Sequence, residues 1–134
     1  MSSLPERREF RVFEDWLQSY GQAWEAKDAD AFSAQFADQC RYLWSPFADV
    51  LEGRDAVASA FREAVENQHG IKFRYTVIDW ADHSGTAHWR CEFARKGGKE
   101  VIVDGILRAF LDEDSLCEEF HEWWHSNEGH DGAS

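Results

Sequence analysis

No stretch of this chain approaches the ~18 consecutive apolar residues that a membrane-spanning helix needs. The opening segment MSSLPERREF likewise has no apolar core of the kind a secretory signal carries, so neither insertion nor export is expected. Basic residues are also in short supply, with 14 Lys and Arg against 26 Asp and Glu and a formal net charge of -12. A chain of this sign repels phosphate backbones and anionic lipid surfaces, so neither nucleic acid nor membrane is an expected partner. The three cysteines, Cys40, Cys91 and Cys117, are widely spaced and form no C-x-x-C pair. Buried, reduced thiols in a cytoplasmic protein are the expected state. There is no G-x-G-x-x-G loop and no P-loop, and no cofactor is expected.

What the chain does have is aromatic side chains. They make up 15% of its 134 residues and include seven Trp. Each buried indole N–H needs a partner, so so many Trp suit a lined pocket or a subunit face better than a plain core. The length suits one domain, with residues 1–9 as a polar lead-in, 10–126 as the folded unit and the polar 127–134 as a flexible tail.

Apolar residues recur at helical spacing from Phe10 to Lys27, through Phe13, Trp16, Leu17, Tyr20, Ala23 and Trp24. Asp28 is a reasonable N-cap for a second, short helix through Phe32 and Phe36. The β-prone CRYLW follows, limited by Pro46, and Gly53 precedes a third helix in RDAVASAFREAVEN. Beyond Gly70 the pattern changes to alternation. IKFRYTVIDW, TAHWRCEFAR, EVIVDGILRAFL and LCEEFHEWWH read as strands joined by turns at DHSG, Gly97-Gly98 and DEDS. Three helices and a run of antiparallel strands define an α+β domain with helices on one face of a curved sheet.

The ordered set WLQSYGQAWEAKDADAFSAQFADQCRYLWSPF, EGRDAVASAFREAV and VDGILRAFLDEDSLCEEFHEWW resembles the nuclear transport factor 2-like superfamily, and within it the SnoaL-like proteins and ketosteroid isomerase. The resemblance covers most of residues 13–125. It implies a cystatin-like cone in which a strongly bent mixed or antiparallel sheet wraps against the first helix and encloses a pocket. It also implies a homodimer through the outer sheet face, and a small hydrophobic, carbonyl-bearing ligand. Isomerases, dehydratases, cyclases and non-catalytic binders all use this fold, so the fold alone does not choose among them.

HEWWH (His121 to His125) fits the zinc-helix pattern H-E-x-x-H. Its position after a hairpin turn makes it a strand, on which two histidines four residues apart stand about 13 Å from each other. One metal ion cannot bridge that span, so no metal is expected.

A two-residue turn at Gly97-Gly98 would set Lys96 opposite Lys99, Cys91 opposite Asp104 and Trp89 opposite Ile106. Asp104 would then share an apolar, concave face with Ala87, Trp89, Phe93, Ile102, Ile106 and Phe110. A carboxylic acid in such a place stays neutral and can donate a hydrogen bond to a developing oxyanion. The resemblance to ketosteroid isomerase gives Tyr20 and Asp104 this role together. It also exposes a departure. Where that enzyme has its catalytic Asp before the proline of the first strand, this chain has Ser45, which cannot remove a carbon-bound proton unassisted.

His121 is the candidate substitute base. If the DEDS hairpin is a two-residue turn at Glu113-Asp114, Ile106 opposes His121 and Asp104 opposes Trp123, with His121 inside. A bulged three-residue loop would turn His121 outward and bring in Phe120, Glu122 and Trp124. Trp16, Trp24, Tyr42, Trp44, Trp89, Ile106 and Trp123 are the candidate pocket lining. Arg108 is placed at the rim, where it would pair with Glu119 or meet an anionic ligand.

Overall fold

The computed structural model describes residues 3–128, with side chains described from Arg8 onward. Helix α1 runs Ser3–Ala26, α2 Ala29–Ser33 and α3 Arg54–Val65. The strands are β1 Phe36–Leu43, β2 Leu51–Glu52, β3 His69–Ala81, β4 Ser84–Ala94, β5 Glu100–Leu111 and β6 Cys117–Glu128. One six-stranded sheet has the order β2-β1-β6-β5-β4-β3. It is antiparallel except where β1 runs parallel to β6. The sheet curls around α1 without closing, which is the α+β cone expected from the sequence.

The helical stripe of α1 is its buried side: Phe13, Trp16, Leu17, Tyr20 and Ala23 all face the sheet. Asp28 caps α2 as its residue type suggests, its side chain accepting the amide of Ala31 at 3.0 Å. In α3, Val57, Ala58, Phe61 and Val65 are buried. The close fit of helix to sheet depends on Gly85, where an added Cβ would lie 2.2 Å from the Phe13 ring. Only a residue without a side chain lets α1 rest there. Among the described residues, no helix is long and apolar enough to cross a membrane.

Three boundaries differ from the sequence reading. Helix α1 takes in residues 3–9, with Pro5 in its first turn, where a missing N–H leaves no hydrogen bond unmade. Phe36 opens β1 instead of continuing α2. The carbonyl of Gln35 accepts both the Trp16 indole at 2.9 Å and the Cys117 amide at 2.9 Å, so the chain enters the ladder at that point. Strand β6 continues through Asn127 and Glu128, opposite Ile102 and Val101, and only the rest of the expected tail, 129–134, lies outside the described residues.

The correction that matters for function is at Gly97-Gly98. Arg95 and Lys99 form the closing pair, the Arg95 amide donating to the Lys99 carbonyl at 2.7 Å, so the loop has three residues instead of two. Both glycines have positive φ, 96° and 87°. The one-residue change inverts β5: Cys91 faces Val103 and Arg90 faces Asp104. Because side chains alternate with a period of two, every residue of β5 lies on the opposite face from the one expected.

The last hairpin combines the two possibilities the sequence left open. Asp112 and Leu116 close a three-residue loop, and a bulge between Phe110 and Leu111 then adds one more residue. His121 therefore keeps to Asp104's face, opposite Arg108, and Glu122 pairs with Leu107 on the inner face.

Candidate active site

Strands β4 and β6 bring Trp89, Phe93, Glu122 and Trp124 to the concave face, α1 contributes Tyr20 and Trp24, and β1 contributes Tyr42. With Val57 and Phe61 of α3 above them, they surround a cavity of about 590 Å³. Trp44 stands at its mouth, its carbonyl accepting the Trp124 indole at 2.7 Å. Four of the residues expected to line a pocket, Trp24, Tyr42, Trp44 and Trp89, do so. Trp16 is instead core, stacked 5.1 Å from Tyr20 with its indole held by Gln35. Ile106 and Trp123 oppose each other on the outer face, a direct result of the inverted β5 register.

Asp104 is on that outer face too. Its Oδ1 lies 2.8 Å from His88 Nε2 and its Oδ2 accepts Arg90 Nε at 3.0 Å. The His88 hydrogen bond, and then Arg90, hold its carboxyl below the usual value, so it is ionised rather than a neutral donor. His121 is likewise outside. Its Nε2 lies 2.7 Å from Glu119 Oε2, and its ring stacks on Trp123 at 5.9 Å. Arg108 donates to Thr86 at 2.9 Å and lies over the Phe110 ring, so it is neither at the cavity rim nor paired with Glu119. HEWWH lies within β6, a strand. Of the three expected catalytic residues, only Tyr20 is in the cavity.

The acid the cavity does contain is Glu122. It is 9% exposed, and its Oε2 has no hydrogen-bond partner among the described residues. Burial pushes its carboxyl up to about 8, because water is not there to solvate the anion and no cation replaces it. Tyr20 and Tyr42 are close enough for Glu122 to bear on their ionisation. Burial raises both phenols well above their usual value, so they are neutral O–H groups. Sequence reasoning reached Glu122 only as one branch of the last hairpin. The signal that would have identified it is the alternation Phe120, Glu122, Trp124, in which an acid stands between two aromatics on one face of a strand.

An acid raised towards neutrality beside two phenols in an apolar hollow can move a proton and stabilise an oxyanion. The cone that holds it is shared with known proteins. The SnoaL-like domain family matches residues 17–119, and the chain belongs to that family. A candidate isomerase from Bacillus subtilis superposes with a TM-score of 0.76 at 17% identity, over 87% of this chain and 88% of that one. SalBIII, an epoxide hydrolase/cyclase-like enzyme of pyran ring formation in salinomycin, superposes at 0.73 with 14% identity, over 90% and 92%. A computationally designed 17-OHP binder superposes at 0.71 with 16% identity, over 86% and 95%. At these identities the likeness establishes the fold. No curated protein sequence matches the chain.

Proposed function

We propose that this chain binds a small hydrophobic carbonyl compound in the cone and catalyses a cofactor-free isomerisation or a related dehydration or cyclisation. The observation that carries this reading is Glu122, a buried acid whose Oε2 has no hydrogen-bond partner among the described residues, lining the same cavity as two neutral phenols. Its carboxylate supplies the base that Ser45 does not. It takes a proton from the carbon next to the carbonyl, the phenols of Tyr20 and Tyr42 donate to the enolate oxygen, and the protonated Glu122 returns the proton to another carbon. A base with a pKa near 8 is matched to this task, since it is strong when ionised and partly ionised at neutral pH.

Ligand binding is tested by thermal unfolding with a panel of hydrophobic ketones and enones. A compound at a hundred times its Kd adds about 2.7 kcal/mol, which raises Tm by several degrees. If no member of the panel moves Tm, the cavity is not a carbonyl site. A second reading, ligand binding without catalysis, is favoured by Ser45 standing where the resemblance places an acid. It predicts the same stabilisation with no turnover.

The outer sheet face supports the homodimer that the resemblance implies. Trp123 is 47% exposed there, beside Ile106, Phe110 and the stacked His121. The Trp123→Asp variant is expected to sediment as a monomer where the parent sediments as a dimer. An unchanged mass would exclude this face as the interface. A cytoplasmic setting suits the three buried free cysteines.

A further inference from the structure

Gln68 sits just past the end of α3 and lines the same cavity, 8% exposed. Its Oε1 accepts the Trp24 indole at 2.8 Å. An indole nitrogen only donates, so this contact fixes which way the amide points. Nε2 donates to no acceptor among the described residues and, unlike the Trp89 indole nitrogen, is not fully buried, so its hydrogens are open to the cavity. Trp89 packs against the same Trp24, with ring centroids 5.6 Å apart, and its indole N–H is buried without a partner among the described residues. Two donors thus lack acceptors around Trp24, while Glu122 and the phenols provide polar groups from β6, α1 and β1. The buried Trp89 N–H is costly to leave unmade, and a ligand oxygen that satisfies it recovers that cost on binding, while Gln68 Nε2 adds a donor already open to the cavity.

We infer that Gln68, oriented by Trp24, is a specificity-determining residue that binds a second acceptor oxygen of the ligand, with the Trp89 N–H as an auxiliary donor. The substrate class narrows accordingly to rigid, flat-faced molecules with two acceptor oxygens, one for the Glu122–tyrosine group and one for Gln68. The inference rests on the carbonyl-binding reading above. It predicts that recognition is divided between two ends of the cavity, the Glu122–tyrosine group for the reacting carbonyl and the α3 end for the second oxygen.

The test compares dissociation constants, from Trp fluorescence, for two pairs of rigid probes of different length. These are anthraquinone against anthrone, and androstenedione against the matched monoketone lacking the oxygen on the five-membered ring. The wild-type chain is expected to prefer at least one diketone over its monoketone by roughly five- to tenfold, the worth of one added hydrogen bond. Gln68→Met should abolish that preference while leaving monoketone affinity within about twofold. Trp24→Phe keeps Gln68 but frees its amide to rotate, and should reduce the preference at least about threefold. It carries the test if Gln68→Met does not fold. An unchanged preference in a folded variant, or equal affinities for both pairs in the wild type, overturns the role of Gln68 alone. Failure of every probe to bind overturns the carbonyl-site reading and Gln68 with it.

Discussion

Glu122→Gln is expected to lower turnover of any substrate by roughly 10²- to 10⁴-fold, the span typical of losing a positioned base, and at the same time to make the protein more stable at alkaline pH. The two effects have one cause. Glutamine preserves shape and fills the same space between Phe120 and Trp124, but cannot take a proton. Ligand affinity should change little, since the carbonyl oxygen is held by the phenols.

The stability effect follows from the raised carboxyl. In the unfolded chain Glu122 ionises near its usual value of 4.5, while in the fold it holds its proton to about 8. Below the unfolded value both states are protonated and its contribution is fully present. As pH rises through the window between the two values, only the unfolded state gives up its proton, and stability falls until the folded group titrates as well. At about 1.4 kcal/mol per unit, the decline is on the order of 5 kcal/mol. Urea titrations at pH 5 and pH 9 check this: the wild type should lose stability between them relative to Glu122→Gln. Parallel curves would mean that Glu122 is solvated or paired. The rate is expected to rise with pH through the folded pKa, as it must for a base, and a rate falling over that range would assign Glu122 an acid's role instead.

How much of this was legible in the sequence varied with the period of each element. The buried faces of α1 and α3 could be read directly, because helical spacing over several turns tolerates an error of one or two residues at either end. In β4 the alternation Ala87, Trp89, Cys91, Phe93 gave the inner face correctly, and all four are buried. In β5 it did not, because EVIVDGILRAFL has apolar residues at both parities and no internal signal to choose between them. The choice fell to the loop, and Gly97-Gly98 fits a two-residue turn as well as the three-residue one that forms. That single residue moved Asp104 from the cavity to the outside, and with it His121, Ile106 and Trp123. The expectation of a neutral Asp104 donating to an oxyanion beside Tyr20 does not carry over: the acid buried on the inner face is Glu122, and its proposed role is that of the base.

Phe120→Ala is expected to destabilise the fold by about 3–5 kcal/mol, a large part of the ~5–15 kcal/mol that holds a domain together. Phe120 is fully buried on the inner face of β6, two residues before Glu122. It stacks on Tyr42 at 4.8 Å with the rings 8° from parallel, and on Tyr20 at 5.7 Å, while Trp16 and Phe36 close its other sides at 6.0 and 5.8 Å. Its ring neighbours come from both α1 and β1, so no single element can move to fill the space a truncation leaves, and the cavity term adds to the lost transfer energy. Urea denaturation measures the loss, with Phe47→Ser as a control, because Phe47 is 100% exposed and its removal should change stability by no more than ~0.5 kcal/mol. A loss below about 1 kcal/mol for Phe120→Ala would mean that the aromatic cluster repacks freely. The same ring is the platform under both phenols. A variant that folds at low temperature should therefore lose catalysis more than ligand affinity, since the apolar walls that bind the ligand remain while the donors meant for its oxyanion lose their fixed positions.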